Sequence, residues 1–221
     1  MNTNTTKKIF LPFVIVLVFL LNSCFGMSMD IHINRDGSAR LTIEYRISRM
    51  LANLGELDGN TAMPVIPFGR EDLERTVNRI EGARIVSYSN RNNSQDTVIN
   101  AVIEFSNPQA LEQLLDYTSG NKVSVSVNSG HGNMDLIILD NSAQLDLPLT
   151  SLMQGAFNGY NFSISFSAPV NSVIAITDGS GNTKAAPVSA SITPSGRRVS
   201  FSMGMYETLS LSEGLGFKIN W

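Results

Sequence analysis

The chain has 221 residues, with 16 Lys and Arg against 19 Asp and Glu, a formal net charge of −3 and a single cysteine. This acidic balance, with charged residues at 16%, argues against a nucleic-acid partner, which requires a basic face. One cysteine excludes an internal disulfide framework.

At the start, Lys7 and Lys8 precede an apolar run from Ile9 to Leu21, interrupted by Pro12, and Asn22, Ser23 and Cys24 follow. A charged start, a short apolar stretch and a small-residue exit form the layout of a secretory signal. The run falls short of the ~20 apolar residues of a transmembrane helix. Leu21-Asn22-Ser23-Cys24 resembles a bacterial lipobox, with Asn22 where Ala, Ser or Thr is usual. The resemblance implies that residues 1–23 are a lipoprotein signal peptide and that Cys24 becomes the lipidated first residue of the mature chain. At about 0.8 kcal/mol per buried CH₂, one acyl chain binds a membrane marginally and two or three bind it durably. Removing the signal takes away two lysines and no acid, leaving 198 residues with 14 bases against 19 acids. That balance also argues against a polybasic contact with anionic lipid.

Residues 24–28 read as a short lipid-anchored tether. Met29, Ile31 and Ile33 alternate with polar neighbours, Arg35-Asp36-Gly37-Ser38 makes a turn, and Leu41, Ile43, Tyr45 and Ile47 alternate again, which predicts a β-hairpin. Residues 50–68, with Gly55, Gly59, Pro64 and Pro67, read as a long surface loop, and such loops in compact domains are often functional. Met63, Val65, Ile66 and Phe68 would cover the core, dip into the lipid or line a ligand groove. Glu71–Glu81 reads as a helix, with Leu73, Val77 and Ile80 on one stripe and Gly82 as its stop. Arg84–Ser89 and Thr97–Ser106 read as strands around an Asn-rich turn. Asn107-Pro108 opens a second helix that runs to about Tyr117, with Ala110, Leu111, Leu114 and Leu115 inward. Strands follow over 123–127, 134–139, 162–166, 172–177, 188–193, 198–203 and 217–221, with a short helix over 149–156 and a helical turn over 206–212. The order predicts the α+β class: an antiparallel β-sheet with two main helices packed on one face and a β-rich C-terminal half. Residues 29–221 would form a single extracytoplasmic domain.

The residues that carry chemistry are sparse. His32 falls in a strand, His131 in a Gly turn and the lone cysteine at the anchor, so nothing here supplies the three or four ligands of a zinc site. Asp178-Gly179-Ser180-Gly181-Asn182 opens like a calcium loop, but Thr183 and Ser189 stand where that loop needs Gly and a bidentate Glu. It reads as a hairpin turn. The sequence has neither a Gly-x-Ser-x-Gly elbow nor a Walker-type phosphate loop. Glu44, Glu104 and Glu112 have no context that marks a general acid. Trp221 is expected to be buried and to pin the last strand.

Met29 to Tyr45, with its Asp36-Gly37-Ser38 turn, and the terminal Phe217 to Trp221 resemble the LppM-like lipoproteins. That resemblance implies a strand, a turn and a second strand followed by helix-on-sheet elements, in an envelope module that binds lipid or glycolipid and is not an enzyme. Many members of that family carry a C-terminal transmembrane helix, whereas this sequence stops at Trp221, so lipid on Cys24 is the expected anchor. The expected function is a non-enzymatic, lipid-anchored envelope protein, on the periplasmic face or the outer membrane of a bacterium. Its partners would be the membrane and an amphipathic ligand held by Met63, Val65, Ile66 and Phe68. The alternative is a structural or assembly lipoprotein acting through protein–protein contacts. No cofactor, metal or nucleic acid is expected.

Overall fold

The computed structural model describes residues 25–48, 69–119, 123–128, 131–139, 154, 157, 159–169 and 172–221. Cys24, the loop residues Met63, Val65, Ile66 and Phe68, and most of the expected 149–156 helix lie outside the described residues.

Strand β1 (Phe25–Ile33) turns into β2 (Ala39–Ser48), paired from Ile33↔Ala39 back to Phe25↔Ile47. Asp36 holds the turn: its Oδ1 accepts from the Ser38 N–H at 3.0 Å and from the Ser38 hydroxyl at 2.7 Å. Residues 25–28, expected to be tether, are already strand, because β2 is long enough to pair with every one of them. The sheet therefore starts directly after Cys24, with no slack chain between them.

The chain continues through α1 (Arg70–Val77), β3 (Ala83–Asn92), β4 (Asp96–Phe105) and α2 (Pro108–Ser119). Asn107 caps α2, its Oδ1 accepting from the Ala110 N–H at 2.8 Å. Then come β5 (Val123–Asn128), β6 (His131–Leu139), β7 (Asn161–Ser167), β8 (Val173–Thr177), β9 (Ser191–Ser195), β10 (Arg198–Gly204), α3 (Met205–Leu209) and β11 (Leu215–Asn220). The class is broadly α+β, with strands dominant and three short helices among the described residues.

Two features depart from the expected antiparallel sheet. First, the strands divide into a seven-stranded sheet, β3-β4-β2-β1-β7-β10-β9, and a four-stranded sheet, β5-β6-β11-β8. Second, the large sheet is mixed, because β1 and β7 run parallel, from Met27↔Phe162 to His32↔Ser167. Hairpin turns fix antiparallel neighbours, but no hairpin joins β1 to β7, and the apolar alternation of Phe162, Ile164 and Phe166 serves either direction. The strand expected over 188–193 is shifted to Ser191–Ser195, and Val188 is fully exposed outside it.

One face of the large sheet is apolar across its central strands. Register sets Ile103, Leu41, Ile31, Phe166 and Val199 side by side, and all are buried. Helix α1 packs on β3, and α2 packs on β4 and against β5. The four-stranded sheet covers the other half of that face: the Phe217 ring lies 5.0 Å from Phe201 and 6.4 Å from Phe162, and Trp221 lies 5.1 Å from Phe166. Both sheets and both longer helices contribute to one core.

Candidate functional site

The opposite face of the large sheet carries the polar half of each alternation. Toward its middle, serine pairs bridge β7 and β10, Ser163 with Ser202 at 3.0 Å and Ser165 with Ser200 at 2.9 Å. At the strand ends farthest from Phe25, the registers line up into a single row: Arg84, Glu104, Arg40, His32, Ser167, Arg198 and Ser195, one residue from each strand.

Glu104 sits between two arginines. Its Oε1 accepts from Arg40 Nη2 and its Oε2 from Arg84 Nη2, each at 2.5 Å. His32 Nδ1 lies 2.9 Å from Ser167 Oγ, and Arg198 Nη2 donates to Asp30 Oδ2 at 2.9 Å. A groove of about 680 Å³ opens over this end of the sheet, lined by His32, Asn34, Ser38, Arg40, Arg84 and Glu104 among others. The guanidinium of Arg84 is the most open part of the trio, with its side chain 75% exposed, against 56% for Arg40 and 23% for Glu104. Ion pairs this exposed contribute little to stability. Their chemical consequence is larger. One carboxylate holds two forked donors in fixed positions and leaves one positive charge in excess. Each guanidinium carries five N–H donors and gives Glu104 one nitrogen, so both retain donors for an incoming carboxylate or phosphate.

The hydrogen bond from Arg40, followed by that from Arg84, holds the Glu104 carboxyl below its ordinary value of 4.5. The charged form is therefore favoured by the fold, so this contribution is present above the unfolded-state pKa and is lost as pH falls through the lower folded-state one. Replacing both arginines by glutamine is expected to bring the Glu104 midpoint up toward 4.5, read by carboxyl-carbon NMR shifts. An unchanged midpoint would contradict the pairing.

The other candidate residues do not converge. His131 opens β6 in the four-stranded sheet, opposite Asn128, away from His32 in β1. Glu44 lies 3.7 Å from Arg46. Glu112 ties α2 to β5, its Oε2 accepting from the Val125 N–H at 2.9 Å. Asp178 closes the expected hairpin turn, its Oδ1 accepting from the Ser180 and Asn182 N–H groups, each at 2.9 Å. Among the described residues, no group of three or more His, Cys, Asp or Glu is placed to hold a metal ion, and no helix is long and apolar enough to cross a membrane. A second, smaller depression of about 260 Å³ lies on the four-stranded sheet, where Lys218 and Asp135 offset each other at 3.6 Å.

No protein-family model matches the chain. No curated protein matches it in sequence either. Among solved structures, it is similar to the NMR structure of the folded domain of Mycobacterium tuberculosis LppM, with a TM-score of 0.44 and 11% identity over 89% of this chain and 88% of that chain.

Proposed function

We propose that this chain is a non-enzymatic envelope protein, anchored to a membrane by lipid on Cys24, whose domain binds an anionic group of an envelope component. The observation that carries the binding half is the pair Arg40 and Arg84 clasped to Glu104 on the wall of the groove. Guanidiniums are the side chains of choice for carboxylate and phosphate because their donors match both oxygens of such a group. The apolar ligand surface expected from Met63, Val65, Ile66 and Phe68 supplies the amphipathic alternative. The arginine groove instead favours the charged part of such a ligand as the part recognised.

The test is native mass spectrometry of the full chain purified from envelope membranes. An anionic mass retained by the wild type and lost from Arg40→Gln/Arg84→Gln is the expected result. Equal retention by both, or a bare chain in both under gentle conditions, would sink the reading. Fractionation of Cys24→Ser tests the anchor separately: that variant is expected to leave the membrane pellet.

A further inference from the structure

We propose that the row Arg84, Arg40, His32 and Arg198 is a track for a linear polyanion, and that the track is held on the side of the domain turned away from the anchoring membrane. This rests on the lipid-anchored, anion-binding reading above and names its ligand class.

Two observations carry it. The first is the shape of the charge. The row runs across the strands, so its members are spaced by the distance between strands, about 4.8 Å. Arg84 and Arg40 are two strands apart, His32 stands next to Arg40, and Arg198 is two strands beyond His32. The three arginines therefore stretch over roughly 24 Å, five such spacings, with His32 between them. A single small anion meets one or two of them, whereas a chain bearing repeated phosphates or carboxylates meets all. The groove lies on one half of this row, and His32 bonded to Ser167 links it to Arg198 on the other half.

The second is the place of the anchor in the chain. Cys24 directly precedes Phe25 in sequence, and Phe25 is already paired with Ile47 at the opposite end of the same strands. That end also holds Ser48 beside Asp96, and Asp96 accepts from the Tyr160 hydroxyl. From Phe25 to His32 is seven residues of β1, roughly 23 Å at about 3.3 Å per residue. Lipid on Cys24 brings the Phe25 end to the bilayer, and the same rigid strand carries the row outward.

The experiment uses the full lipidated chain in nanodiscs of zwitterionic lipid. It is titrated with a short linear polyphosphate, a short polyglutamate and orthophosphate, at low salt because contacts of this kind weaken steeply as salt rises. A polymer is expected to bind at least about tenfold more tightly than orthophosphate, the surplus being the cations that a single anion cannot reach. Arg84→Gln/Arg198→Gln, which removes the two ends of the row, is expected to erase that difference. The tighter of the two polymers identifies phosphate or carboxylate as the natural group. Orthophosphate binding as well as either polymer, or a double variant as strong as the wild type, overturns the track.

Orientation is read from labels on introduced thiols. Cys24 is the only native cysteine, so in the acylated chain Arg35→Cys or Gln95→Cys is the one free thiol. Quenching by bilayer-borne quencher is expected to be strong at position 95 and weak at 35. Equal quenching, or the reverse order, overturns the outward placement. A native chain that is not held in the membrane pellet overturns the anchor reading and the outward placement together. The polymer titrations then still decide the track, using the chain free in solution.

Discussion

Trp221→Ala is expected to lower the stability of the chain by about 3–5 kcal/mol, the range for deleting a large buried aromatic. The indole is 6% exposed and tilted over Phe166 with ring centroids 5.1 Å apart. Its Nε1 is buried with no hydrogen-bond partner among the described residues, so ring packing rather than the N–H carries the stabilisation. The backbone is fixed as well: Trp221 N–H donates to the Gly132 carbonyl at 3.1 Å and the Gly132 N–H donates to the Trp221 carbonyl at 3.0 Å. A side chain at Gly132 would run into the Trp221 ring and the Ser126 carbonyl oxygen. Gly132→Ala should therefore cost about 1–3 kcal/mol by overpacking. In the Trp221→Ala background the ring is gone and only the Ser126 oxygen remains in the way. The two changes together should then cost less than their sum, with a coupling of about 1 kcal/mol. Urea denaturation of the four proteins gives the cycle. Strict additivity would show that the ring does not determine why position 132 is glycine.

Most of the individual elements were legible in the sequence because each obeys a local rule. Period-2 alternation found β1, β2, β4, β7 and β10, and Asp36-Gly37-Ser38 found the turn between the first two. Asn107-Pro108 marked the start of α2. The parallel pairing of β1 with β7 and the separation of β5, β6, β8 and β11 into a second sheet were not legible. Both are decided by which apolar faces meet in the core, and alternation is the same whichever neighbour a strand takes.

The arginine row was hidden for the same reason. Alternation alone puts Arg40 and Glu104 on the polar sides of their strands. Only the registers Arg40↔Glu104 and Arg84↔Glu104 bring the three together. Arg84 gave less warning still, since a bulge between Ile85 and Ser87 interrupts the alternation of its strand. Glu104 was visible as a carboxylate without a context, and its context turned out to be two residues 20 and 64 positions away.

Gly82→Ala joins stability to the site. Gly82 has φ +86°, in the region that a side chain makes costly. Its added Cβ would press on Ser106 Oγ and lie 2.8 Å from Asn107 Nδ2. These are the contacts that set up the cap of α2: Asn107 Nδ2 donates to Ser106 Oγ at 3.2 Å while its Oδ1 holds the Ala110 N–H. About 1–2 kcal/mol for the backbone and about 1 kcal/mol for a disturbed cap give an expected loss of about 2–3 kcal/mol. Gly82 and Ser106 also line the groove beside Arg84, so Gly82→Ala is expected to weaken polyanion binding as well. Asn107→Ala separates the two effects. It removes the cap alone and leaves the Ser106 N–H on the Gly82 carbonyl at 2.8 Å, so stability should fall by about 1 kcal/mol with binding unchanged. A Gly82→Ala chain that loses stability but binds like the wild type would count against the groove, and so against the Arg84 half of the track.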